Sequence, residues 1–109
     1  MSTSSRREKI ETLLAAEPHD VFLRYSLAME LAKESQHDRS LELFRQLSEE
    51  SPPYVPAFFM AAQLLAQLGR INDARTELRS GIDVARQQGD SHAAGEMSEF
   101  LASLGEVGE

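Results

Sequence analysis

Between Pro56 and Leu68 the chain reads PAFFMAAQLLAQL, with Gln63 and Gln67 as its only strongly polar interruptions. At helical periodicity such a segment is apolar on nearly every side, and a helix of that kind must be packed on several sides at once. It therefore belongs at the centre of whatever fold the chain adopts. Gly69-Arg70 follows as a tight turn, and a second helix from about Asn72 carries Ala74, Leu78, Gly81, Ile82 and Ala85 on one stripe at spacings of three and four. Central helix, turn and antiparallel partner make an αα-hairpin.

The remaining helices come from the same signals. Ser5-Arg6-Arg7-Glu8 has the form of a capping box opening a helix that Pro18 ends, with Ile10, Leu13 and Leu14 as its apolar stripe. Asp20 can cap the next, roughly Val21 to Glu34. That helix has two apolar bands, Phe22/Tyr25/Met29/Ala32 and Leu27/Ala28/Leu31, so it buries two surfaces or leaves one open. Asp38 is the expected cap of a third helix over about 39–50, with Leu41, Phe44 and Leu47 inward, before Ser51-Pro52-Pro53 breaks it. A last helix from Asp90 or Ser91 ends by Gly105. It has His92, Glu96, Glu99 and Ser103 on a wet face and Ala93, Met97, Phe100, Leu101 and Leu104 opposite, as the end of a stacked array requires.

Positions thirty-four apart match. Pro18 pairs with Pro52, Leu27 with Ala61, Ala28 with Ala62, Leu31 with Leu65 and Ser40 with Ala74, while Ile10, Phe44 and Leu78 form a triple. This period of helix–turn–helix units resembles the tetratricopeptide repeat family. One unit supplies Leu27-Ala28, Leu31, Ser40, Phe44 and Pro52; the next supplies Phe58, Ala61-Ala62, Leu65, Ala74, Leu78 and Gly81. Arg24, Leu47 and Arg86 depart from the family pattern, which favours a large apolar residue, a small residue and a proline there. The resemblance implies an all-α, right-handed α-solenoid of six antiparallel helices. It divides the single domain into a disordered tail (1–4), a half-repeat helix (5–17), two repeats (21–54 and 55–88) and a capping helix (90–104). Small residues at Ala28, Ala62, Ser40, Ala74 and Gly81 let helices approach closely, and Gly81, costly inside a helix, marks a tight crossing.

The resemblance also implies function. In the family, the side of each first helix that here carries Phe22, Tyr25, Met29, Lys33, Phe59, Gln63 and Gln67 lines a concave groove binding a peptide or partner helix. The expected role is thus a non-enzymatic scaffold, adaptor or chaperone-like module for another protein. The alternative is a structural protein whose groove or open end is filled by a second copy as a homodimer. Tyr25, Met29, Phe59 and Gln63 stand where lysine and asparagine would grip an acidic chaperone tail, so a carboxylate clamp is not expected.

Bulk properties narrow the alternatives. The net charge of −7 disfavours nucleic acid. There is no cysteine, no charged-then-apolar leader and no apolar run of membrane-span length, a pattern that fits a cytoplasmic protein without a membrane partner. His19, His37 and His92 lie in or beside turns without the i, i+4 spacing of a zinc helix, and no phosphate loop or nucleophile motif is present, so neither catalysis nor a cofactor is expected. Arg75, Arg79 and Arg86 share one helical face and read as a solvated stripe.

Overall fold

A computed structural model describes residues 4–105 of the chain as six α-helices without a strand: α1 (Ser4–Ala16), α2 (Val21–Lys33), α3 (His37–Ser48), α4 (Val55–Gln67), α5 (Ile71–Gln87) and α6 (Ser91–Gly105). The Ser5 side chain, on which the capping box rests, and residues 1–3 of the expected tail lie outside the described residues. Each helix packs on its neighbours in sequence, α4 also touches α6, and the result is an elongated body of 43 × 29 × 18 Å. This is a helical-repeat solenoid. The period is visible in the elements themselves: α2 and α4 start and end thirty-four residues apart, and α3 and α5 start thirty-four apart.

The turns repeat with the helices. After α2, the Gln36 amide donates to the Leu31 carbonyl (2.9 Å) and the Ser35 amide to that of Ala32 (3.1 Å). After α4 the same pair runs from Arg70 to Leu65 and Gly69 to Ala66, and after α5 from Asp90 to Ala85 and Gly89 to Arg86. Each is a Schellman closure with a left-handed residue at its centre: Ser35 (φ 62°), Gly69 (φ 80°) and Gly89 (φ 76°). Ser35 accomplishes without glycine what glycine does at the other two.

These closures correct one expected cap. Gln36, not Asp38, occupies the N-cap of α3, because the closure places the next helix start directly behind it. Asp38 lies instead in the first turn, where its carboxylate faces the positive end of the helix dipole. Asp20 and Asp90 do cap: their Oδ1 atoms accept from the amides of Leu23 (2.8 Å) and Ala93 (3.0 Å).

Packing explains why α4 is apolar all round. Phe58, Ala62 and Leu65 face a core shared with Leu78, Ile82 and Met97 of α5 and α6, whereas Ala57 and Ala61 face Ala28, Phe44 and Leu47 of α2 and α3. The small positions are closed contacts. Ala28, Ser40, Ala62 and Ala74 have no exposed surface, and the Ser40 hydroxyl donates to the Ala28 carbonyl at 2.7 Å, joining α3 to α2. A Cβ built on Gly81 would stand 2.6 Å from Phe58 Cβ and 2.7 Å from Met97 Sδ, so three helices meet there.

The departures from the repeat pattern find their own places. Leu47 is fully buried in the α2–α3–α4 core, filling space a small residue would leave. Arg24 is largely buried, its side chain 13% exposed, and its guanidinium donates to Glu50 at 3.0 Å. Arg75 leaves the solvated stripe altogether: it is buried, donating Nη1 to Asn72 Oδ1 (2.7 Å) and Nη2 to the Leu104 carbonyl (2.9 Å). Its guanidinium thereby ties the C-terminal end of α6 to the first turn of α5, leaving Arg79 and Arg86 exposed without it.

Candidate functional site

The two bands of α2 have different fates. Leu27 and Leu31 pack on Ile10 of α1, and the same junction is bridged by Arg6–Glu30 (3.0 Å) and Arg7–Glu34 (2.9 Å). The helix α1 thus covers the Leu27 band and leaves the Tyr25 band to α3, α4 and solvent. Tyr25 stands edge-on to Tyr54 (centroids 5.3 Å apart) and tilted against Phe44 (6.0 Å). Burial, with a smaller contribution from Tyr54, raises the pKa of its phenol above the ordinary value of 10.0.

Two pockets open on this side of the molecule, one on each flank of α4. The first, about 210 Å³, lies between α2 and α4 and is lined by Met29, Ala32, Lys33, Phe44, Met60, Gln63, Leu64 and Gln67. The second, about 140 Å³, lies between α4 and α6, with Tyr25, Val55, Pro56, Phe59, Met60 and Met97 as its walls and Asp90, Ala93 and Glu96 on the α6 side. Met60 lines both, so they form one trough interrupted by its side chain.

Of the seven residues named from the sequence, Met29, Lys33, Gln63 and Gln67 meet in the first pocket, and Tyr25 and Phe59 in the second. Phe22 lines neither and stands 66% exposed at the start of α2. Phe59 is half-buried because its ring leans on Phe100 of α6 (5.8 Å). Met60, Asp90 and Glu96 are among the lining residues that sequence reasoning left out. Met60 was detectable, lying three residues before Gln63 on the same helix; the α6 pair depends on how the last helix docks.

A larger depression of about 360 Å³ lies between α3 and α5, where Arg70 pairs with Asp73 (2.9 Å) and Arg45 pairs with Glu42 and with Glu49 at 2.8 Å. Most of its charge is therefore satisfied within the chain, and the trough is the better candidate. Glu77 in this depression titrates above the ordinary 4.5, chiefly through burial and secondarily through Asp73. The folded state then holds that proton more tightly than the unfolded chain. The stability Glu77 contributes is present below its unfolded pKa and is lost as pH rises through its raised folded pKa. Glu77→Gln is accordingly expected to melt with the wild type near pH 3 and above it at pH 7. Calorimetry at both pH values checks this, and an equal gap at the two would refute it.

Among the described residues no helix is long and apolar enough to cross a membrane, and no group of three or more acidic or histidine side chains gathers to hold a metal ion. No curated protein matches the chain with significance. Solved structures do. The solution structure of a tetratricopeptide repeat domain protein from Salinibacter ruber is 33% identical with a TM-score of 0.77, over 83% of this chain and 91% of that one. A crystal structure of the tetratricopeptide repeat domain protein from the same organism is 32% identical with a TM-score of 0.72, over 82% and 99%. A Bordetella parapertussis protein is 28% identical with a TM-score of 0.76, over 90% and 85%. The tetratricopeptide repeat family model matches residues 31–98. With six helices on a thirty-four-residue period, the chain belongs to the tetratricopeptide repeat family, whose repeats mediate protein–protein interaction and are typically non-enzymatic.

Proposed function

We propose that the chain is a small interaction module that holds a peptide or partner helix in the trough astride Met60. The observation that carries this reading is the pair of pockets on the two flanks of α4, which gathers six of the seven residues named from the sequence. Their chemistry suits the task. Aromatic and methionine walls provide apolar contact at about 25 cal/mol per Å² buried, and the Gln63 and Gln67 amides can satisfy a bound backbone. Tyr25 and Phe59 are already braced by Tyr54, Phe44 and Phe100, so little side-chain entropy is lost when a ligand presses on them.

Gln63→Trp tests the reading without disturbing the core, since Gln63 is half-exposed and borders the pocket between α2 and α4. Peptides selected from a random display library on the wild-type chain should lose at least about tenfold in affinity for the variant, a difference of ~1.4 kcal/mol. The melting temperature should stay within about 3 °C, as for a surface change. Selected peptides that bind both proteins equally would place the binding surface elsewhere.

A further inference from the structure

We infer that the partner segment carries an arginine or lysine and that this side chain enters the smaller pocket, with its head between Asp90 and Glu96. The inference rests on the trough being a peptide site and specifies what the peptide must bring.

The two ends of the trough differ electrically. Its floor, α4, contains no charged residue. At one end stands Lys33, whose ammonium is 3.3 Å from the buried carboxylate of Glu30, a carboxylate it shares with Arg6, so that end is positive. At the other stand Asp90 and Glu96. Among the described residues neither has a lysine or arginine partner; Glu96 has only His92 at 3.5 Å, and Asp90 caps α6 through Oδ1. Two carboxylates above Tyr25, Phe59 and Met60 suit a side chain with an apolar stem and a cationic head. A guanidinium there can bond both acids and lie against an aromatic ring.

Charge also argues against a second copy as the occupant, because two chains of net charge −7 repel each other. The α4 residues that line the two pockets, 55–60 and 60–67, are centred about six positions apart, so the pockets are displaced by ~9 Å along the helix at ~1.5 Å per residue. An extended chain covers that in about three residues at ~3.3 Å each. The occupant is therefore an apolar residue and a basic residue separated by two others, the apolar one seated by Met29 and Gln63.

The test uses the full chain, labelled with ¹⁵N, and four capped nonapeptides: Leu-Ala-Ala-Arg within a glycine–serine frame, its reversal Arg-Ala-Ala-Leu, and each with citrulline replacing arginine. At least one arginine peptide should shift the amides of residues 59–63 and 90–97. It should bind about fivefold tighter than its citrulline counterpart, with the advantage shrinking as salt rises. Asp90→Asn combined with Glu96→Gln should erase that advantage, while the asparagine side chain still caps α6. Citrulline peptides that bind as well as arginine ones at residues 59–67 would overturn the basic subsite and leave the trough standing. Four peptides that shift nothing between residues 25 and 67 would overturn both.

Discussion

Gly81→Val is expected to destabilise the protein by about 3 kcal/mol, the upper part of the range for overpacked cores, lowering the melting temperature by roughly 12 °C or more. The cause is the crossing of α4, α5 and α6. A Cβ at residue 81 overlaps Phe58 Cβ, which is fixed to the α4 backbone and cannot swing aside, as well as Met97 Sδ. Relief requires α4 and α5 to separate, opening the core that holds Leu78, Ile82 and Ala62. Gly81→Ala should be milder, since replacing a helical glycine gains up to ~1 kcal/mol in propensity against the strain. Gly95 supplies the control: a Cβ there meets nothing within 4 Å, so Gly95→Ala should stabilise by about 0.5–1 kcal/mol. A valine variant at 81 that melts with the wild type would mean that the three helices cross there less closely than this.

Ala62→Leu is the second large effect, also about 3 kcal/mol. Ala62 has no exposed surface and lies with Phe58 and Leu65 on the face of α4 that meets Ala74 and Leu78. A leucine adds three carbons where close packing leaves no room for one. The expected result is a lower urea midpoint with an unchanged slope, because the unfolded chain exposes nearly the same surface. Far-UV circular dichroism should still report a helical protein in the absence of denaturant. An unchanged midpoint would show that this side of α4 has slack.

Much of this was legible in the sequence for a specific reason. A stacked repeat makes chemically equivalent contacts at a fixed spacing, so Ala28/Ala62 and Ser40/Ala74 reveal their shared environment before any coordinates are known. Gly81 announced a crossing because nothing else justifies its cost in a helix. Other features were hidden. Ser35 carries no sign of its left-handed backbone, and the Asp38 signal pointed two residues past the real cap, because local propensity does not register the closure behind α2. Arg75, Arg79 and Arg86 look alike on a helical projection, yet only Arg75 meets the Leu104 carbonyl.

The candidate site divides along the same line. Tyr25, Met29, Lys33, Gln63 and Gln67 could be named because the family resemblance points to one side of each first helix, and the 3.6-residue period fixes which residues share that side. Their assembly into two pockets, the leaning of Phe59 on Phe100 and the arrival of Asp90 and Glu96 beside Tyr25 depend on where α6 lies. That was beyond the pattern, since α6 follows the last full period and has no counterpart to predict its placement.

By itself, the sequence determined the helices, their thirty-four-residue spacing and the identity of the central one, because periodicity and residue size are local properties. Tertiary structure alone decided which surfaces stay open: α1 covers one band of α2, and α6 leans on Phe59 and brings two acids to the trough. The physical reason is that burial belongs to pairs of helices, and the chain's pattern describes one helix at a time.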